Sequence, residues 1–236
     1  MAKTLSDPVT VMKRHELKYL LDEKKTAYFR RRLEEHMLPD GFGLTTIGSV
    51  YYDTPERRLI RASLERPEFK EKLRLRSYGP ATESSRVFLE LKCKAGDVVY
   101  KRRVQTSPGE ADAFLGGERA LGGGQIGREL AAFRDYYAPL SPACLILYDR
   151  TAYYEPEGDL RLTIDAAPRY RTEDPSLGDF SGGVPLLPEG WTILELKIQD
   201  AVPLWLARIL SEGKIYKSSF SKYGEAYRRE MQKIAV

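Results

Sequence analysis

Eight segments of this chain alternate apolar and polar residues with a period of two, and this pattern limits the fold more than any other feature. They are 14–21, 47–53, 72–78, 86–94, 98–104, 144–152, 159–165 and 191–198. Successive side chains of a strand point to opposite faces, so each segment is predicted to be a strand with one face on a core. Helical spacing falls between them. Asp22 caps a predicted helix over 23–37, in which Phe29, Leu33 and Met37 recur four apart. Thr54-Pro55 opens another to about Leu64, with proline at its first position, and 127–137, 203–212 and 222–234 complete the set. The helices do not alternate regularly with the strands, which argues against a parallel doubly wound sheet. An α+β fold on an antiparallel sheet is expected.

No repeat and no long linker divides the chain, so one domain over 1–236 is expected. Two stretches are predicted loops: Gly-rich 116–124, and 173–190 with its Pro, Gly and Asp. The first lacks the Gly-x-x-x-x-Gly-Lys-Ser/Thr spacing, and no helical pattern starts at its third glycine. It is not expected to cradle phosphate. Hydrophobic residues make up 42% and charged residues 31%, a globular balance. No apolar run reaches the ~18 residues of a membrane span, and no secretory signal opens the sequence, so a cytoplasmic protein is expected. Cys93 and Cys144 lack CxxC spacing, and His15 and His36 are the only histidines. This argues against a disulfide scaffold and against a Cys- or His-based metal centre.

The polar strand faces carry the functional signal. They present Arg14, Lys18, Lys72, Arg74, Arg76, Lys92, Lys94, Lys101, Arg103, Arg150, Arg161 and Lys197. With Asp53 included, that is twelve basic residues against five acidic ones, the others being Glu16, Glu90, Asp165 and Glu195. The whole chain is nearly balanced, with 38 basic and 34 acidic residues. Like charges facing each other across strands destabilise a sheet, so this side calls for a counter-charge. A multiply charged anion inside a closed or strongly curved sheet supplies it, and eight strands can close around such a ligand. Arginine's two-pronged donor fork favours phosphate, and the number of bases favours a chain of phosphates. Glu16, Glu90, Asp165 and Glu195 are candidate salt-bridge partners, and also candidate oxygen ligands for Mg²⁺ or Mn²⁺. Bases that alternate with leucine leave the opposite face to a core, so nucleic acid is not expected as a partner.

In order along the chain, these residues resemble the VTC domain, the polyphosphate polymerase domain of the vacuolar transporter chaperone complex. That domain belongs to the triphosphate tunnel metalloenzyme (CYTH-like) superfamily. The matching motifs are Arg14-x-Glu16-x-Lys18-Tyr19, Val50-Tyr51-Tyr52-Asp53-Thr54, Leu73-Arg74-Leu75-Arg76-Ser77-Tyr78 and Leu89-Glu90-Leu91-Lys92. They continue with Tyr148-Asp149-Arg150-Thr151-Ala152, Arg161-Leu162-Thr163-Ile164-Asp165, Leu194-Glu195-Leu196-Lys197 and Lys217-Ser218-Ser219-Phe220-Ser221-Lys222-Tyr223. The resemblance covers about residues 12–230 and implies an eight-stranded antiparallel tunnel barrel with a basic interior and helices packed outside. Catalytic roles would fall to Lys18, Arg74, Arg76, Arg150, Arg161 and Lys222. Arg14, Lys72, Lys92, Lys101, Arg103, Lys197, Lys217 and Ser221 would bind phosphates beside them. Glu195 would be the foremost metal ligand, with Glu16, Glu90 and Asp165 as further candidates for Mn²⁺ or Mg²⁺. The implied reaction moves the terminal phosphoryl group of ATP onto polyphosphate; hydrolysis of a triphosphate and binding of polyphosphate without catalysis are the alternatives. The superfamily's N-terminal motif is Glu-x-Glu-x-Lys, and Arg14 replaces its first glutamate. That favours the VTC branch over the hydrolases.

Overall fold

A computed structural model describes residues 15–65, 67–96, 98–122, 124–199 and 201–234. Its long strands are β1 (His15–Leu21), β3 (Thr45–Asp53), β4 (Phe69–Tyr78), β5 (Val87–Ala95), β6 (Val98–Thr106), β7 (Ser141–Tyr154), β8 (Arg161–Arg171) and β10 (Thr192–Ile198). All eight fall on the segments that alternate in sequence. Three two-residue strands join them: β2 (Leu38–Pro39), β9 (Val184–Pro185) and β11 (Lys217–Ser218). The helices are α1 (Glu23–Leu33), α2 (Arg58–Leu64), α3 (Pro108–Leu115), α4 (Gly124–Tyr137), α5 (Leu204–Glu212) and α6 (Lys222–Ile234). Helix α3 has no counterpart among the expected elements. Helix α4 starts at Gly124, the last glycine of the Gly-rich loop, three residues before the expected start at 127.

All pairings are antiparallel, in the order β11-β1-β10-β8-β7-β3-β4-β5-β6, with β2 added to β7 and β9 to β8. The sheet is strongly curved. Six strand steps of about 4.8 Å would put β1 and β5 about 29 Å apart in a flat sheet. Instead Lys92 Nζ of β5 lies 2.9 Å from Glu16 Oε2 of β1. The ring of backbone pairing expected of a barrel is not closed among the described residues. One edge of β1 pairs with β10, and at Lys18 and Tyr19 the other pairs with β11, so this edge is not left for β6. The result is a trough whose seam is bridged by side chains.

The convex face carries the core. Leu73, Leu75, Leu89, Leu91, Leu145 and Leu147 pack under Phe114 of α3 and Leu130 and Phe133 of α4. Leu162, Ile164, Leu194 and Leu196 pack under Phe29 and Leu33 of α1 and Leu206, Ile209 and Leu210 of α5. The loop 173–190 lies on the sheet: a Cβ on Gly48 of β3 would sit 2.1 Å from the Phe180 ring, so only glycine fits there.

A third apolar cluster stands where α2 and α6 meet β3 and β7. It joins Ile47, Ile60, Cys144, Ile146, Tyr148, Tyr223 and Ala226. Asp53 anchors it, and does not join the basic face to which it was assigned. Its fully buried carboxylate accepts hydrogen bonds from the backbone N–H of Thr54, Leu59 and Ile60 and from the Tyr223 hydroxyl. This fixes the first turn of α2, which begins at Arg58 and not at Pro55. Asp53→Ala should lower the stability by about 2 kcal/mol or more, because several buried donors lose their partner. Asp53→Asn, which keeps one acceptor oxygen, should cost less. Urea unfolding that shows equal midpoints for both variants and the parent chain would remove Asp53 from this role.

Candidate functional site

The concave face holds two linked charge clusters. The first is centred on Glu90, whose side chain is 1% exposed. Arg74 Nε donates to Glu90 Oε2 at 2.8 Å, and Arg74 Nη2 lies 2.7 Å from the same oxygen. Lys101 Nζ lies 2.6 Å and Arg103 Nε 3.5 Å from Oε1, and Arg76 Nε lies 3.7 Å from Oε2. Strand pairing imposes this convergence: Glu90 stands opposite Arg74 on β4 and Arg103 on β6. Burial would raise the pKa of Glu90, but Arg74, Arg76 and Lys101 outweigh it and hold the carboxyl far below its ordinary range. Arg76 also donates to Ser49 Oγ and to the Tyr148 hydroxyl, and Arg74 donates to the Tyr51 hydroxyl at 3.1 Å. Burial opposes ionisation of Tyr51, yet Arg74, Lys72 and Arg76 bring its phenol down to about 8. Arg103 lies over the Phe88 ring, 3.6 Å from its centre.

The second cluster joins β1, β7, β8, β10 and α6. Arg150 grips Asp165 with two bonds, Nε to Oδ1 at 2.6 Å and Nη2 to Oδ2 at 2.8 Å. Its Nη2 also reaches Glu195 Oε2 at 3.3 Å. Lys222, the first residue of α6, donates to Asp165 and lies 3.6 Å from Glu195. Lys18 Nζ bridges Glu16 at 3.2 Å and Glu195 at 3.3 Å. Burial would raise the pKa of Glu195, but Lys18, Lys222 and Arg150 drive it well down. Glu16 is likewise held at about 2, with Lys92 and Lys18 overcoming burial and the repulsion of Glu195. Tyr148 links the clusters: it accepts from Arg76, and its ring lies under Arg150 and Lys222.

Two lysines are short of counter-charge. Burial, followed by the like charges of Lys18, Lys92 and Lys70 acting against Tyr51, lowers Lys72 to about 8. Lys72 donates to Ser221 Oγ, which also accepts from the Gly224 N–H and so caps α6. Lys101 falls to about 8 through burial and the charges of Arg74 and Arg76, despite its contact with Glu90. Burial likewise lowers Lys197, which stands opposite Glu16 and Arg161 in the sheet.

Most of the residues singled out in the sequence thus meet on one face: Lys18, Lys72, Arg74, Arg76, Lys92, Lys101, Arg103, Arg150, Ser221 and Lys222. Arg161 and Lys217 are exposed, and neither joins the ion pairs of these clusters among the described residues. Arg14 lies outside the described residues. The four candidate metal ligands are not brought together, and among the described residues no group of three or more His, Cys, Asp or Glu is placed to hold a metal. Glu90 is enclosed by guanidinium groups and the Lys101 ammonium, and Asp165 is held by Arg150 and Lys222. Glu16 and Glu195 are the pair whose charges reach each other, and opposite Glu195 the buried Thr163 hydroxyl has no hydrogen-bond partner. Ser49 was missed in the sequence; its place between Arg76 and β3 follows only from the register Ser49↔Arg76. His36 stacks on Trp205 with ring centres 4.3 Å apart.

The model of the VTC domain family matches residues 13–230. The chain belongs to the VTC domain family. No curated protein matches it closely enough to be significant. Solved structures show the same fold at low identity. A candidate adenylate cyclase from Bacillus halodurans superposes with a TM-score of 0.52 at 15% identity, covering 89% of this chain and 96% of that one. A Hippeastrum protein, named as a candidate adenylyl cyclase with a dominant triphosphatase activity, gives 0.52 at 18% identity over 89% and 93%. The PH1819 protein of Pyrococcus horikoshii gives 0.51 at 13% identity over 92% and 99%. The VTC-domain chain therefore shares its fold with these three structures.

The depressed pKa of Glu16 sets a pH dependence. A carboxyl lowered from 4.5 to about 2 on folding adds stability that is complete above pH 4.5 and is lost as pH falls towards 2. In that window Glu16→Gln should flatten the dependence of unfolding free energy on pH by up to about 1.4 kcal/mol per pH unit, the slope carried by one proton. Unfolding curves of equal slope for the variant and the parent chain would show that Glu16 is not held this way.

Proposed function

We propose that this VTC-domain chain is a phosphoryl-transfer enzyme that lengthens polyphosphate at the expense of ATP, inside the basic trough. The observation that carries the reading is the convergence of Lys18, Lys72, Arg74, Arg76, Lys92, Lys101, Arg103, Arg150 and Lys222 on one concave face with too few carboxylates to neutralise them. Phosphoryl transfer depends mainly on in-line positioning and on neutralising charge at the transferred group. Arginine forks on adjacent strands can hold successive phosphates in line, and Lys222 reaches them from the end of α6.

A divalent cation, Mn²⁺ or Mg²⁺, fits the hard oxygen donors Glu16 and Glu195 with the unpartnered Thr163 hydroxyl nearby, and phosphate oxygens would complete the shell. When bound it would offset the charge of the phosphates. The chain's own residues fix the anion and exclude bulk water from Arg76 and Arg150.

Among the carboxylates of the trough, base strength favours transfer to phosphate over transfer to water. Water needs a base, and the carboxyls of Glu16, Glu90 and Glu195 are all held low by their cations, which makes them weak bases. A polyphosphate terminus is already an anion and needs none. Incubation with ATP and Mn²⁺ or Mg²⁺, with both nucleotide and phosphate products resolved, tests the reading. ADP with a growing phosphate ladder is expected; ADP with only orthophosphate, or AMP with pyrophosphate, would replace polymerisation by hydrolysis.

Binding should also take up protons. Lys72 and Lys101 titrate near 8 in the free trough, and a polyanion restores their positive charge. Tripolyphosphate affinity should therefore fall as pH rises from 7 to 9. Calorimetry in buffers of different ionisation heat should show proton uptake that Lys72→Met reduces. No linked proton in that range would mean that neither lysine faces the anion.

Glu195→Gln should separate binding from turnover. The cations remain, so tripolyphosphate should bind at least as tightly without metal. Metal-dependent turnover should fall by a factor of about 10² or more, the scale at which one electrostatic group contributes. An unchanged maximal rate and metal requirement would take Glu195 out of the metal site.

A further inference from the structure

A second cavity lies outside the charge clusters. It has a volume of about 350 Å³ and opens between the turn before α2, the start of β7 and the outer side of α6. Its lining is largely apolar and includes Cys144, Tyr223, Tyr227 and Met231, with Arg57 and Thr172 as polar elements. The size falls in the range of small-molecule sites, which are mostly apolar with a few placed polar groups.

Arg57 gives the cavity its chemistry. Its Nη1 is buried and has no hydrogen-bond partner, and no carboxylate forms an ion pair with this side chain among the described residues. The side chain is only partly buried, but a buried guanidinium nitrogen without a partner is costly and calls for an acceptor to meet it. Its backbone is left-handed, with φ of 59°, a conformation unusual for a residue other than glycine. The one lining carboxylate, Glu230, is already matched, accepting from the Tyr170 hydroxyl at 2.7 Å and lying 2.7 Å from Lys233 Nζ. Its presence opposes a multiply charged anion. One unmatched cation, an apolar wall and one fixed negative charge select a ligand with a single negative head and an apolar body.

We propose that this cavity binds a small organic monocarboxylate, with the carboxylate on Arg57 and the apolar body against Tyr227 and Met231. The site is separate from the trough but shares a wall with it. Tyr223 lines the cavity, donates to Asp53 and stacks on Tyr51 with ring centres 4.5 Å apart, and Tyr51 accepts from Arg74. Lys222 immediately precedes Tyr223 in the chain. An occupant therefore touches the residue that positions both the start of α6 and one phosphate-facing arginine.

The test is a fluorine NMR titration of the whole chain with 4-fluorobenzoate. Saturable binding with a Kd of about 1 mM or tighter is expected. Arg57→Gln should weaken it by about tenfold or more by removing the charge-assisted contact. The Arg57 side chain makes no hydrogen bond or ion pair among the described residues, so thermal unfolding should remain close to that of the parent chain. Met231→Trp, which narrows the cavity from its exposed rim, should weaken binding by an independent route. The neutral 4-fluorobenzamide should bind far less, and tripolyphosphate should not displace the probe. Absence of saturable binding, equal affinity for the amide, unchanged affinity in both variants, or competitive displacement by tripolyphosphate would each overturn the proposal. The last would make the cavity part of the polyanion's path.

Discussion

A single buried carboxylate, Glu90, holds together the most densely charged part of this molecule. Four cations from the two neighbouring strands converge on it, so β4, β5 and β6 can carry arginine and lysine side by side without the repulsion that would otherwise disrupt their pairing. Asp165 and Glu195 do the same for β7, β8 and α6. The acids are fewer than the bases they organise, so the network is stable enough to fold and still electropositive. Lys72 and Lys101 carry that excess as lowered proton affinity.

Curvature turns this charge pattern into a site. A flat sheet would spread the same side chains over a broad surface, where solvent and salt screen them. The helices on the convex face, with their leucine-rich packing, hold the sheet bent, and α6 brings Lys222 and Ser221 in from one side. The apolar cluster around Tyr148 and Tyr223 sets where the polar trough stops. The arginines are thus fixed by backbone register on one face and by aromatic hydroxyls between them, which keeps their forks oriented before an anion arrives.

Much of this could be read in the sequence, because period-two alternation fixes which residues share a face. All eight long strands, and the grouping of bases away from leucine, follow from it. Which acid meets which base does not: the contact of Lys92 with Glu16 depends on curvature summed over six strand steps. Asp53 was placed on the basic face by its neighbours, yet it became the anchor of α2, since a carboxylate at a strand end can satisfy helix N–H groups as readily as it can pair with arginine. Helix α3 was legible but missed: Ser107, Pro108 and Glu110 form a capping box with proline at the first turn. The paired two-residue strands have no pattern long enough to detect. The loss of ring closure follows from one of them, β11, taking part of the free edge of β1.

The side-chain seam gives the trough a property that a hydrogen-bonded ring lacks. Backbone ladders open only by partial unfolding, whereas the contact between Lys92 and Glu16 joins two partly exposed side chains that exchange rotamers quickly. If the trough takes polyphosphate as proposed, the polyanion would compete with Glu16 for Lys92, and the ligand's own charge would loosen the bridge that spans the seam. A linear polymer would then not need to be threaded from a free end. Its middle could be laid in from the side, and the fraction of chain termini in a polyphosphate sample would cease to limit how fast it is captured.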